Sequence, residues 1–290
     1  MRRGPMLMII AGLFFAGMLA CVKQVRPFLS AFDIIFWRSL IALPLLVGVT
    51  ARGPGFHVAN RSGIVLRALF GFGAMTGYFW SMRGMGVADV TLVGKLQPLV
   101  IGSLAGVVLG KSEKTRPLVW VAMTVGFAGC AIVLGPNLSG GTVWGFFAMG
   151  GALSSAGAHL TLRVLGRTEK PQAVVFYFYL LSVPFSTLSL FLFENRVPDL
   201  PPIELWLPLF GVSMFSVLAQ WLVTEAYRLD SVTVVAAASY TAPLWAMILD
   251  CAVFSISPKF ITTLGGALIV GSGLALLLLD RHKDQKNAKS

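Results

Sequence analysis

The sequence predicts an all-α membrane protein of ten transmembrane helices arranged as two inverted five-helix repeats. Three observations carry this reading: apolar stretches long enough to cross a bilayer recur along nearly the whole chain, the second half repeats the first at a fixed offset, and basic residues collect in alternate connections. Of 290 residues, 56% are hydrophobic and 12% are charged, with a mean hydropathy of +0.80, against the roughly 25% charged residues of a soluble domain.

Runs bounded by Gly, Pro and charge predict spans at 5–22, 30–50, 62–82, 87–109, 116–134, 141–161, 172–193, 203–225, 231–254 and 260–279. Each is long enough for a hydrocarbon core of about 30 Å. They read as helices, because only helices and closed barrels satisfy the backbone in lipid and the alternating pattern of barrel strands is missing. Arg2 and Arg3 followed by an apolar run to Cys21 imitate a secretory or lipoprotein signal, but the equal spans downstream make this stretch the first of a series. The connections are short and leave little room for an active site outside the membrane.

With the N-terminus in the cytoplasm, sixteen basic residues fall on the cytoplasmic side, Arg67 counted among them, and five on the other. The positive-inside rule then puts both termini in the cytoplasm, as expected of a multi-pass protein of a bacterial inner membrane. The net charge of +11 therefore marks orientation and calls for no nucleic-acid partner. Cys21, Cys130 and Cys251 are isolated in apolar sequence, with neither metal-ligand spacing nor a disulfide pattern, and read as packing residues.

Sliding the chain by 145 residues brings Pro98 onto Pro243, and the segment Gly86-Val87-Ala88-Asp89-Val90-Thr91 onto Ser231-Val232-Thr233-Val234-Val235-Ala236. Ala122, Gly126 and Cys130 fall on Ala267, Gly271 and Ala275, which predicts the same small-residue packing stripe in spans five and ten. The halves, 1–138 and 139–290 with a short basic tail, each hold five spans, so the second enters the membrane from the opposite side. Inverted halves of similar energy can expose a central site to each side in turn.

Phe36-Trp37-Arg38, Gly86 to Thr91, Leu96-Gln97-Pro98-Leu99, Tyr240-Thr241-Ala242-Pro243-Leu244 and the glycine-rich fifth and tenth spans together resemble the ten-helix EamA-type branch of the drug/metabolite transporter superfamily. The turns Leu109-Gly110-Lys111-Ser112-Glu113 and Ser255-Ile256-Ser257-Pro258 depart from that family, which often ends span four on an acidic residue. The resemblance implies a secondary transporter of small metabolites, most like exporters of aromatic and neutral amino acids. Organic anions, phosphate esters, nucleotide-like molecules and vitamins form the alternative substrate class, and a channel or structural subunit a further one.

Lys95 lies near mid-membrane, where an unpaired cation costs about 2.5–3.5 kcal/mol or more, so it must meet a substrate carboxylate, an internal acid or helix carbonyls. Its repeat equivalent is Tyr240. Pro98 and Pro243 each remove a donor and disturb the carbonyls near Gly94 and Ser239, as hinges or as packing kinks. A carbonyl opened there can accept an ammonium group. Arg38 is a second intramembrane cation, expected either to interact with Asp33 or to converge with Lys95 on a dianion. Tyr78, Trp80, Tyr177, Tyr179, Trp221 and Trp245 stand at cavity depth, as a substrate box or as lipid-interface aromatics, with Gln97 and Gln220 as polar anchors. Glu225 is expected to pair with Arg228, and His159 to close span six beside a loop. Asp33 and Asp250, acidic candidates for a proton relay, lie toward the outer side. No nucleophile, metal or phosphate-loop motif suggests an enzyme, and no cofactor is expected. Small-molecule substrate and lipid are the expected partners of a monomer.

Overall fold

The computed structural model describes residues 3–53, 55–85, 87–135, 142–254 and 260–287. Arg2, Gly86, the turn 255–258, Lys259, Lys289, the boundary after residue 138 and the Asp250 side chain lie outside what is described. The described residues hold α-helices and short 3-10 turns and no strand.

The chain forms α1 (Arg3–Val25), α2 (Ala31–Arg52), α3 (Arg61–Ser81), α4 (Val87–Gly94), α5 (Gln97–Val108), α6 (Pro117–Leu134), α7 (Thr142–Leu165), α8 (Pro171–Glu194), α9 (Trp206–Leu229), α10 (Val232–Ala238), α11 (Ala242–Phe254) and α12 (Phe260–Asn287). Local chemistry sets the ends. Ser30 caps α2 in a reciprocal box with Asp33, and Asn60 caps α3 by accepting from the Gly63 N–H at 2.8 Å. Pro117 and Pro171 open α6 and α8 where a missing N–H costs nothing. Gly135 closes α6 at φ 53°, in the left-handed region that glycine enters without a Cβ clash.

Six stretches are long and apolar enough by themselves to cross a membrane: α1, α2, 89–108 across α4 and α5, α6, α8, and 203–229. Shorter apolar stretches follow at 232–245 and 260–273. Large apolar side chains cover the outside, among them Val107, Leu207 and Phe260. Inside, Ser182, Ser186 and Ser189 of α8 and Ser213, Ser216, Gln220 and Thr224 of α9 are buried. This arrangement suits lipid outside and a polar seam within, since lipid offers no hydrogen bond to an outward hydroxyl.

The element expected at 87–109 is two helices, and so is the one at 231–254. After Gly94 the chain leaves helix for Lys95 and Leu96 and restarts with Pro98 in the first turn of α5. After Ala238 it passes through a 3-10 turn, Ser239–Thr241, and restarts with Pro243 in the first turn of α11. At both prolines the regular helix is interrupted over two or three residues, while Leu96, Ala238 and Ser239 keep right-handed backbone angles.

Helices pack across the sequence midpoint. The chain's α1 runs along α9 and touches α10 and α11, while α3 runs along α7, which touches α4 and α5. The remaining large contacts are α2 with α8, α6 with α12, α2 with α9 and α3 with α8. Glycines allow the closest of these approaches. A Cβ on Gly77 of α3 would stand 2.8 Å from the Gly151 backbone of α7, and one on Gly129 of α6 would stand 2.8 Å from the Gly265 carbonyl of α12.

The α6–α12 contact corrects the expected small-residue stripe. Ala122, Gly126 and Cys130 do face the partner, but Ala267, Gly271 and Ala275 point outward, and α12 presents Gly265, Ile269 and Ser272 instead. These three lie 143 residues after Ala122, Gly126 and Gly129, so the repeat offset that holds at the prolines slips by two here. Two residues turn a helix by about 200°, which carries a stripe to the opposite face.

Candidate functional site

The two helix breaks meet. Lys95 Nζ, from the first break, donates to the Ser239 carbonyl at the second over 2.9 Å. Of the partners open to Lys95, the structure supplies a helix carbonyl, which accepts the Ala242 N–H in the 3-10 turn and has its second lone pair left for Lys95 because Pro243 has no N–H to offer. Cys130 Sγ donates to the next carbonyl, that of Tyr240, at 3.5 Å. The Tyr240 ring is 2% exposed and packs with Leu92, Met123 and Ile269, and its hydroxyl has no hydrogen-bond partner. Lys95 and Tyr240 thus occupy one region.

Beside this junction, Gln97 Nε2 lies 2.9 Å from His159 Nδ1, and the same nitrogen lies 2.7 Å from the Ser155 carbonyl oxygen. A ring nitrogen bears a proton or a lone pair, so it donates to Ser155 or accepts from Gln97 and cannot do both. Tyr227 stacks near the imidazole at 5.0 Å, its hydroxyl next to Gln97 without a well-formed hydrogen bond. His159 is therefore not at a loop, as its place in the predicted span implied. The helix runs on to Leu165 because Arg163 is satisfied inside the fold, by Glu113 at 2.7 and 2.9 Å and by the carbonyls of Tyr227 and Arg228 at 3.1 Å. Tyr78 approaches the same region, pairing with Ser155 and bordering Gly94 at the first break.

Arg38 does not interact with Asp33 or converge with Lys95. It donates to Ser216 Oγ at 3.2 Å and Met75 Sδ at 3.1 Å, and lies 5.7 Å from the Tyr179 ring centroid. Its electrostatic neighbour is Arg67, one of the cations that the positive-inside pattern puts on the cytoplasmic side. Arg67 is 4% exposed, donates to Gln220 Oε1 at 3.0 Å and lies 4.4 Å over the Phe178 ring. The available signal was helical spacing: Arg67, Gly71, Ala74 and Tyr78 recur at three- and four-residue intervals on one inward face, Gly71 leaving room for the guanidinium. Arg67 neighbours His159, which neighbours Lys95, so positive groups extend from Arg38 to the helix breaks.

Other expected site residues lie elsewhere. Tyr177 donates to the Phe56 carbonyl in the α2–α3 connection at 2.6 Å, so it fastens a loop. Trp221 is 42% exposed on the outer face, because Gln220 turns inward and adjacent helix positions point about 100° apart. Trp80 packs between Phe147 and Phe193 with Arg83 over its ring, and Trp245 donates to the Ile9 carbonyl at 2.8 Å. Glu225 pairs with Arg228, as its spacing indicated. Trp221→Ala and Tyr177→Phe are expected to keep transport within about twofold of wild type, Tyr177→Phe losing about 1 kcal/mol of stability with its hydrogen bond. Initial rates in proteoliposomes and thermal unfolding check both; a tenfold rate loss in either returns that residue to the site.

Asp33 serves a different cluster. Arg196, after α8, binds Asp33 Oδ2 at 2.5 Å and Oδ1 at 3.0 Å, together with Glu194, Asp199 and Ser30. Hydrogen bonds to Asp33, then Glu194, raise the guanidinium pKa above its ordinary value. A base with a raised folded pKa loses its contribution only above its unfolded pKa, so Arg196 remains charged at any working pH. Among the described residues, no group of three His, Cys, Asp or Glu side chains could hold a metal ion.

The geometry is that of a polar seam between broken helices inside a multi-pass membrane protein, and comparison with known proteins agrees with it. A solved crystal structure, 22% identical and covering 97% of this chain and 99% of its own, matches with a TM-score of 0.82, which shows a shared fold. The pseudopaline exporter CntI of Pseudomonas aeruginosa is 25% identical over 95% of this chain and 96% of its own length. A riboflavin transporter of Brucella anthropi is 26% identical over 85% of this chain and 88% of its own length. The model of the EamA-like transporter family matches twice, at residues 2–135 and 142–279, and the chain therefore belongs to that family.

Proposed function

We propose that the chain is a ten-span secondary transporter whose two inverted repeats, 1–138 and 139–290, expose a central site alternately to the two sides of a bacterial inner membrane, with both termini cytoplasmic. The observation that carries this is the hydrogen bond from Lys95 at one helix break to the Ser239 carbonyl at the other. Discontinuous helices that meet at mid-membrane offer both a charged group and open carbonyls to a solute. The paired contacts support the symmetry: α1 on α9 answers α7 on α3, and α2 on α9 answers α8 on α3, as a two-fold relation between halves requires.

The substrate is a small metabolite with a carboxylate, and amino acids, aromatic and neutral ones included, fit the junction. The carboxylate takes the Lys95 ammonium, and the Ser239 carbonyl so released accepts the substrate ammonium. One internal hydrogen bond is exchanged for two to the ligand, which biases the breaks toward a rearranged state. Export is the proposed direction. Pro98 and Pro243 act as the hinges, and Gln97, Tyr78 and Tyr240 line the junction.

Proteoliposomes holding the purified protein test this with labelled phenylalanine, tryptophan, threonine and a sugar phosphate in a counterflow format. Saturable exchange of the amino acids is expected. Exchange of the sugar phosphate alone shifts the substrate to the guanidinium groups, and exchange of none of the four removes the amino-acid reading.

A further inference from the structure

The junction uses Lys95 and leaves two buried guanidinium groups without a task. Arg38 and Arg67 are each 4% exposed, stand near one another, and meet only neutral partners among the contacts described: Ser216, Met75 and Tyr179 for one, Gln220 and Phe178 for the other. The Nε–H of both arginines is buried with no acceptor among the described residues. Two like charges in a membrane interior, each with an unused donor, lack an anion. The acidic side chains whose partners are resolved are engaged elsewhere, Asp33 and Glu194 with Arg196, Glu113 with Arg163, Glu225 with Arg228 and Glu169 with the Ala59 and Asn60 N–H groups.

We infer that Arg38 and Arg67 form a second subsite that binds a dianionic oxyanion group, a phosphate monoester or a dicarboxylate, so that the transported metabolites extend beyond neutral amino acids to solutes that carry one. Two guanidinium groups held on acceptors one turn apart suit the oxygens of such a group, because each offers a planar fork of donors. Both arginines come from the first half, on α2 and α3. Their present acceptors Ser216 and Gln220 sit one helical turn apart on α9, and Tyr179 on α8, in the second half. The subsite therefore lies on the seam that alternating access must open, and the neutral acceptors hold the arginines in the absence of ligand. The inference rests on the transporter reading for the word metabolite, while the site itself stands on the arginines.

Thermal unfolding of the purified full chain, titrated with glycerol 3-phosphate, malate, phenylalanine and glycerol, tests it. At least one of the two dianions is expected to raise the wild-type Tm saturably, and which one does identifies the oxyanion. Arg67→Met and Arg38→Met are expected to abolish that shift while the ligand-free Tm stays equal or rises, since each removes an unpaired buried cation. Arg67→Lys keeps the charge without the fork and is expected to weaken the dianion about tenfold. Absence of a shift with both dianions, or a full shift in both methionine variants, overturns the subsite. Dianion binding without counterflow of any solute defeats the transporter reading and leaves the subsite standing.

Discussion

Lys95→Ala is expected to reduce transport by about 10- to 100-fold, the loss of one charge-assisted hydrogen bond of about 1.5–3 kcal/mol to the substrate in transit. Stability moves little, because two effects oppose one another. The variant leaves the Ser239 carbonyl without its 2.9 Å partner, which destabilises, and removes an ammonium group from a low-dielectric interior, which stabilises. The measurement is counterflow in proteoliposomes beside elution profile and Tm for the same preparation. Loss of transport with an unchanged Tm assigns Lys95 to the substrate. Wild-type rates in a folded variant would leave the Lys95–Ser239 bond a structural tie and remove the carboxylate from the junction.

The largest stability effect is expected at Gly77, where α3 and α7 touch backbone to backbone. A Cβ there would lie 2.8 Å from Gly151 Cα, from Gly151 N and from the Phe147 carbonyl oxygen, none of which can rotate away. Gly77→Val adds two further methyl groups and is expected to cost about 3 kcal/mol, at the upper end of overpacking penalties, by prising the helices apart. Gly150→Ala, one residue from the contact with nothing within 4 Å, is the matched control and is expected to be neutral. Tm and membrane yield read both. Equal behaviour of the two variants would mean that the α3–α7 approach does not limit stability.

Much of the helical architecture was legible in sequence because lipid enforces it: an apolar run of sufficient length has few alternatives to helix. The two proline anchors also read correctly as disturbed backbone, since Pro98 and Pro243 act through covalent geometry that no tertiary context removes. The site was harder. Arg67 counts with the cytoplasmic-side cations by its place near a span end, and only packing against Gly71 and Phe178 shows that it turns inward. His159 was assigned to a span end because Arg163 seemed to close the helix, whereas Glu113, distant in sequence, satisfies that arginine within the fold. Trp221 faces outward and Tyr177 reaches the α2–α3 connection, and direction around a helix is fixed by neighbours that a single span does not reveal. The stripe on α12 failed for a related reason: a repeat offset found at one anchor was carried to a helix where the register had slipped.

The cross-midpoint packing has a consequence for what a duplicated protein can become. The helix α7 lies against α3, α4 and α5, with α8 also on α3, and α1 lies against α9, α10 and α11, with α2 also on α9, so each bundle contains helices from the other copy. If the proposed alternating access holds, the bodies that rock are therefore not the bodies that were duplicated. A single repeat standing alone would have to lend its first two helices to a second chain and receive two in return, as domain-swapped dimers do. In one chain the two copies differ where they meet, with Arg38 and Arg67 on one and their acceptors Ser216 and Gln220 on the other.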